Sequence, residues 1–166
     1  MRKLTFLSFI AIIIIGTNSC SEKKCKYDSD EEKSKIEIVL EKYVIANETQ
    51  DLDLVHRVWA SRDDIVVFGT ASDEKLIGWE KISKTFQQQF NLFEDTYISV
   101  GDQIITVNET GNTAWFSEII NYNFIYKGKP VSYEGVRFTG VLSKIEGEWY
   151  IVQSHMSLPH EEDFDE

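Results

Sequence analysis

The sequence predicts an α+β domain in which three N-terminal helices pack on a mainly antiparallel sheet that ends in a four-strand meander. Between residues 30 and 94, apolar residues recur mostly at helical spacing. After residue 94 the period changes to that of strands, and four long runs rich in β-branched and aromatic residues follow. The segments NETG, KGKP and IEG join these runs and contain turn-forming residues. Helices followed by consecutive strands are typical of α+β folds.

The three helices are predicted from the spacing of their apolar residues. The first follows a capping box at Ser29 and Glu32, and the second follows Asp51. The third is WEKISKTFQQQF, residues 79–90. Their buried faces are expected to be Ile36, Val39, Leu40, Tyr43 and Val44, then Leu52, Val55, Val58 and Trp59, then Trp79, Ile82, Phe86 and Phe90.

Six strands are predicted. Two short ones, DIVVFG and LIG, precede the third helix. The four long ones are TYISVGDQIITVN, TAWFSEIINYNFIY, VSYEGVRFTGVLSK and EWYIVQSHMS. Because the connections between the long strands are short, consecutive strands should pair in antiparallel fashion.

The first twenty residues have the layout of an export signal. Arg2 and Lys3 precede an apolar run from Leu4 to Ile15, which is short for a membrane span, and a small polar stretch ends at Cys20. This pattern resembles the lipobox of bacterial lipoproteins, so residues 1–19 are predicted to be removed and Cys20 to be lipidated. The alternative is an ordinary secretion signal, with Cys20 removed or left as a free thiol.

The remaining chain is predicted to contain one domain. Residues 20–29 are expected to form a tether, 30–159 the folded domain and 160–166 an acidic tail. The net charge of −11 disfavours binding to nucleic acid and adhesion to anionic lipid. We therefore expect membrane contact only through Cys20, at the bacterial envelope, with the domain facing the periplasm or the cell exterior.

The sequence contains no motif for a metal or a cofactor. Cys20 and Cys25 precede the domain, and the three histidines are scattered without HExxH spacing. There is no GxSxG, no GxxxxGK[ST] and no helix-opening GxGxxG. The tail EEDFDE lacks the glycine and the spaced ligands of a calcium loop. We therefore expect neither a metal nor a cofactor.

The order of elements resembles the nuclear-transport-factor-2-like (NTF2-like) superfamily. The C-terminal half is similar to its SnoaL-like and DUF4440-type members at AWFSE (114–118), RFTGVL (137–142) and GEWYIVQSHMSLP (147–159). The resemblance implies a cone, in which a curved sheet wraps the helices and encloses a cavity. It also implies a homodimer formed through the outer face of the sheet.

Strand alternation predicts which side chains face this cavity. In the last strand, one face carries Trp149, Ile151, Gln153, His155 and Ser157. Arg137 and Thr139 of the preceding strand are expected beside Gln153 and His155. Because arginine is rarely buried unpaired, Arg137 should either pair with Glu118 or receive an anionic ligand. His155 is either a hydrogen-bonded wall residue or an acid-base group.

Aromatic residues on the predicted core faces complete the candidate site. They either simply pack or line an apolar cavity with a few polar groups. The residues predicted to line the ligand pocket are Tyr43, Trp59, Trp79, Trp115, Glu118, Arg137, Thr139, Gln153, His155 and Ser157.

A catalytic role can be tested against ketosteroid isomerase, which resembles the chain over residues 41–69. Tyr43 falls where that enzyme has its oxyanion-donating tyrosine. The place of its general base, an aspartate, is held here by Val67 or Phe68, which disfavours steroid isomerisation by that route. A SnoaL-type cyclase would also need a carboxylate base, for which Glu118 is the candidate.

Three functions remain open from the sequence. The favoured one is a binding domain for a small, partly apolar ligand, whose carboxylate would face Arg137. The second is an isomerase, cyclase or dehydratase with Tyr43, Glu118 and His155 as its polar groups. The third is a dimeric assembly module with a vestigial pocket, as in the related association domain of calcium/calmodulin-dependent kinase II.

Overall fold

A computed structural model describes residues 27–160, which form three helices packed against one six-stranded sheet. The helices are α1 (Ser29–Thr49), α2 (Leu52–Val58) and α3 (Trp79–Phe90). The strands are β1 (Val66–Phe68), β2 (Lys75–Ile77), β3 (Phe93–Val107), β4 (Thr113–Tyr126), β5 (Lys129–Ile145) and β6 (Glu148–Ser157). The predicted export signal, Cys20, Cys25 and residues 161–166 lie outside the described residues.

The sheet has the strand order β2-β1-β6-β5-β4-β3. The pairs from β3 to β6 form the predicted antiparallel meander, and β1 joins β6 in parallel. The predicted α+β architecture is thus confirmed. Among residues 27–160, no helix combines the length and the apolar character needed to cross a bilayer.

The hydrophobic core lies between the helices and one face of the sheet, which we call the inner face. Tyr43, Trp59 and Ile82 represent the three helical segments in this core, and all three are buried. The inner face contributes mainly Phe116, Ile120, Val136, Phe138, Leu142, Trp149 and Ile151. In α3 only Ile82 is fully buried. Trp79, Phe86 and Phe90 are half-buried, and Phe86 borders a cavity described below.

The start of α1 differs from the prediction. Asp28, and not Ser29, is the N-cap, because its carboxylate accepts hydrogen bonds from the backbone N–H groups of Asp30 and Glu31. Glu32 therefore closes no capping box. Its carboxylate is buried and contacts side chains from β5 and β6 instead.

A β-bulge in β6 reverses the facing predicted for the polar end of that strand. Leu142 pairs with Ile151, but the next pair joins Val141 to Gln153, so Val152 is an extra residue. Beyond it, Ser154 is buried on the inner face, whereas His155 is exposed. The prediction that Gln153, His155 and Ser157 face the cavity is therefore wrong, because all three lie on the outer face.

Arg137 and Thr139 also lie on the outer face of the sheet. The register pairs Arg137 with Ile119 and places Glu118 opposite Phe138 on the inner face. Because neighbouring residues of a strand point to opposite faces, Arg137 cannot reach Glu118. Arg137 is exposed, so the predicted buried ion pair is wrong.

Candidate functional site

A cavity of about 320 Å³ lies between the helices and the inner face of the sheet. Its exposed lining residues include Thr70, Ala71 and Tyr133, so it opens between the β1–β2 loop and β5. The apolar part of the wall consists of Trp59, Val67, Leu76, Ile82, Phe86, Phe93, Ile120, Phe124, Val136 and Met156. Such a wall, with few polar groups, is typical of small-molecule sites.

Of the tyrosines that line the cavity, Tyr43 and Tyr122 are buried. The Tyr122 hydroxyl donates to Asn47 Oδ1 at 3.1 Å and accepts from Gln89 Nε2 at 2.7 Å. Asn47 is itself fixed, because its Nδ2 donates to the carbonyl of Tyr43 at 2.8 Å. Burial raises the pKa of Tyr122 more than the Gln89 hydrogen bond lowers it, so this phenol stays neutral.

Tyr43 packs its ring between two aromatic neighbours. The ring centroids of Phe86 and Phe138 lie 6.4 and 4.9 Å from its own. Burial raises the pKa of Tyr43 well above its ordinary value, and the nearby acidic groups of Tyr122 and Glu118 add to this effect. Tyr43 can therefore serve as a hydrogen-bond donor in the cavity wall but not as a base.

Trp59 is the least satisfied polar group of the wall. The side chain is 1% exposed, and its Nε1–H has no acceptor among the described residues. Buried donors are almost always paired, because an unpaired one costs about 1–3 kcal/mol. Trp59 thus brings a buried donor without a described acceptor to the wall of the cavity.

The cavity is poor in acid-base groups. Of the described residues that line it, only Glu74 has a side chain that is ordinarily charged, and it lies at the β1–β2 loop. Val67 occupies the wall near the position that the ketosteroid isomerase resemblance gives to the general base, and Phe68 is 39% exposed. Within residues 27–160, no three His, Cys, Asp or Glu side chains are placed to hold a metal ion.

Only Tyr43 and Trp59 of the predicted pocket residues line this cavity. Trp79 instead packs against His56, with 4.3 Å between the two ring centroids. Trp115 lies on the outer face of the sheet and is 49% exposed. Gln89 and Tyr122 were missed, although Gln89 follows Phe86 by three positions on α3 and Tyr122 shares the inner face with Ile120. Helical spacing and strand alternation could have identified both.

Glu118 lies in a different cleft, of about 500 Å³, between α1 and β3. Glu118 is 3% exposed, and its Oε2 accepts a hydrogen bond from Gln103 Nε2 at 2.6 Å. Its Oε1 has no partner among the described residues. Burial raises the pKa of Glu118, and the hydrogen bond from Gln103 lowers it in part.

Comparison with known proteins agrees with this architecture. The family model described as a SnoaL-like domain matches residues 36–161. No curated protein is similar enough to the chain to count as a match.

Solved structures share the fold at low sequence identity. A "Nuclear transport factor 2 (NTF2-like) superfamily protein" from Salmonella enterica serovar Typhimurium has a TM-score of 0.74 and 18% identity, covering 82% of this chain and 97% of its own. A "Putative Scytalone Dehydratase" from Novosphingobium aromaticivorans has a TM-score of 0.69 and 15% identity, and the match covers 82% of this chain and 89% of its own. A "Putative calcium/calmodulin dependent protein kinase II association domain" from Xanthomonas campestris has a TM-score of 0.65 and 20% identity, and the match covers 76% of this chain and 87% of its own. These similarities confirm the NTF2-like fold.

Proposed function

Because the chain belongs to the SnoaL-like family, we propose that it is a binding domain whose cavity holds a small, largely apolar, uncharged molecule with an acceptor oxygen. The observation that carries the proposal is the unpaired Nε1–H of Trp59 beside an apolar cavity. A carbonyl or hydroxyl oxygen of the ligand would complete that hydrogen bond. The neutral phenol of Tyr43 offers a second donor.

Size and charge narrow the class of ligand. Small-molecule sites measure roughly 300–1,000 Å³, so a cavity of about 320 Å³ suits a molecule of one or two rings. Arg137 lies on the outer face and cannot receive a ligand carboxylate in the cavity. With Glu74 as the one ordinarily charged side chain of the described wall, an anionic ligand is disfavoured.

A matched ligand series tests the proposal. 2-Acetylnaphthalene carries an acceptor, 2-ethylnaphthalene lacks one, and 2-naphthoate replaces the acetyl group with a charge. We expect the acetyl compound to bind at least tenfold more tightly than the other two, measured by titration calorimetry. Trp59→Phe should abolish this preference, while Trp79→Phe, which changes an indole outside the cavity, should keep it.

A cavity-filling variant makes the test decisive. Val67→Phe adds volume inside the wall and should weaken binding of all compounds. If neither Trp59→Phe nor Val67→Phe changes the affinity for 2-acetylnaphthalene, the cavity is not the binding site.

A second candidate function is a dehydratase, because a solved structure of the same fold bears that name and the wall contains one carboxyl group, Glu74. Glu74 would then act as the base, and Tyr43 would donate a hydrogen bond to the substrate. Loss of turnover in Glu74→Gln with unchanged ligand affinity would favour this function over simple binding.

We further propose that the domain acts at the bacterial envelope as a lipoprotein. The cationic start, the apolar run Leu4 to Ile15 and Cys20 support this location. Cys20→Ala should release the protein from the membrane fraction of a bacterial host. A variant that stays membrane-bound and uncleaved would show that the signal has been misinterpreted.

The outer face of the sheet supports a homodimer. Ile104 and Trp115 lie there at 64% and 49% exposure, beside partly buried Ile119 and Val141. Trp115→Glu should convert a dimer into a monomer in analytical ultracentrifugation. Leu92→Glu, which changes an exposed leucine outside the sheet, should not. A wild-type protein that is monomeric at high micromolar concentration would contradict the proposal.

A further inference from the structure

We propose that the cleft between α1 and β3 is a second ligand site, which binds an organic ammonium group carried on a short apolar stem. The cleft is separate from the cavity of the proposed function, since the two share no lining residue. Its walls come from one side of α1 and from the edge strand β3, and Glu118 of β4 contributes to its lining. The site therefore has its own chemistry.

The first argument is the state of the Glu118 carboxyl. In β3 the register shifts between Gly101, which pairs with Ile119, and Ile104, which pairs with Ser117. Two residues of β3 thus oppose Glu118, and one of them, Gln103, donates to its Oε2. The other oxygen, Oε1, is buried without a partner. A buried carboxylate oxygen is normally paired, so the site lacks a donor.

The second argument is the charge of the cleft. Glu37 and Glu41 of α1 are exposed lining residues, and together with Glu118 they make three carboxyl groups. No lysine, arginine or histidine is among the described residues that line the cleft. The potential there is negative, which attracts a cation and repels an anion.

The third argument is the apolar surface, which selects the kind of cation. Ile38 and Val100 are 49% and 42% exposed, and they line the cleft together with Leu40 and Val44. The described carboxyl groups are not arranged to hold a metal ion. An alkylammonium suits both features, because its three N–H donors can reach Glu118 and the exposed carboxylates while its stem covers Ile38 and Val100.

The test uses the full-length protein and hexylammonium, with 1-hexanol as the neutral analogue. We expect hexylammonium to bind at least tenfold more tightly than 1-hexanol at neutral pH in titration calorimetry. Glu118→Gln keeps the shape of the side chain but removes its charge, and should weaken hexylammonium binding at least tenfold. Glu80→Gln removes one exposed charge on α3, away from the cleft, and should change the affinity less than twofold.

A second variant keeps the proposal testable if Glu118→Gln does not fold. Val100→Lys introduces a tethered ammonium into the cleft, so it should compete with hexylammonium and weaken its binding at least tenfold. Equal binding of hexylammonium and 1-hexanol would overturn the proposal. An affinity for hexylammonium that is unchanged in Glu118→Gln would also overturn it. If Glu118→Gln does not fold, an unchanged affinity in Val100→Lys would overturn it instead. Addition of 2-acetylnaphthalene should leave hexylammonium binding unchanged, because the two sites are separate.

Discussion

Glu32, in the first turns of α1, accepts a hydrogen bond at 2.7 Å from the indole Nε1 of Trp149 in β6, 117 positions away in the sequence. The same carboxylate contacts Lys144 Nζ at 2.7 Å and Lys35 Nζ at 3.0 Å. Burial alone would raise the pKa of Glu32, but the hydrogen bonds from Lys144, Lys35 and Trp149 outweigh it and lower the pKa to about 2. This one carboxylate therefore ties the helix to the end of the sheet.

Glu32→Gln is expected to lower the free energy of unfolding by about 2 kcal/mol, because it removes the charge that satisfies Lys144 and Trp149 in a partly buried network. Glu31→Gln is the matched control. Glu31 is exposed and pairs only with Lys35 at the surface, so its loss should change the stability by less than about 0.5 kcal/mol. Urea denaturation measures both, and similar values for the two variants would contradict a structural role of Glu32.

The contribution of Glu32 should also depend on pH. Its folded pKa of about 2 lies below its ordinary value of 4.5, so the unfolded chain binds a proton more readily than the folded one. The stabilisation is therefore fully present above pH 4.5 and is lost as the pH falls toward 2. The difference in unfolding free energy between the wild type and Glu32→Gln should shrink over that range. A difference that stays constant from pH 6 to pH 2 would show that the network is not ionic.

Gly140 should be intolerant of any side chain. A Cβ built at this position would lie 2.5 Å from the carbonyl oxygen of Gln153 and 2.6 Å from Cε1 of Phe116. Because a backbone atom of the neighbouring strand cannot easily move, Gly140→Ala is expected to destabilise the protein by about 2 kcal/mol. At Gly101 a Cβ would meet nothing within 4 Å. The unfolding free energy of Gly101→Ala should therefore stay within about 0.5 kcal/mol of the wild-type value in the same denaturation experiment. Equal stability of the two variants would refute the steric argument.

The sequence predicts the elements of the fold more reliably than the facing of its polar residues. Helical spacing identified the buried positions Ile36 and Leu40, and alternation placed Trp149 and Ile151 on the inner face. Alternation failed beyond Val152, because a bulge inserts one residue without changing the composition of the strand. His155 therefore lies outside, and with it most of the predicted polar site.

The contacts of the Glu118 carboxyl group also could not be predicted from the sequence. Its inner-face position follows from alternation with Phe116 and Ile120 in β4. Its partner, Gln103, depends on the bulge in β3, which brings two residues opposite one. Pairing with Arg137 looked plausible only because sequence separation says nothing about which face of the next strand a residue occupies. Long-range contacts of this kind require the register of the strands.

Glu118→Gln is expected to raise the unfolding free energy at neutral pH by about 1–2 kcal/mol, because it removes a buried charge with one unpaired oxygen. Burial raises the folded pKa of Glu118 above its ordinary 4.5, so the folded state binds the proton more tightly than the unfolded chain. The loss of unfolding free energy that the ionised Glu118 carboxyl causes in the wild type is therefore absent below pH 4.5. It grows as the pH rises through the folded pKa.

The gain in unfolding free energy of Glu118→Gln over the wild type should accordingly vanish near pH 4. The unfolding free energy of Glu80→Gln relative to the wild type should show no comparable dependence on pH. Guanidinium denaturation at several pH values measures the difference. An organic ammonium in the α1–β3 cleft would reverse the order of stability, because it pairs with the wild-type carboxylate and has no such partner in the variant. If Glu118→Gln is instead destabilising at every pH, the buried carboxylate does not lower the stability of the folded protein, and this stability prediction is wrong.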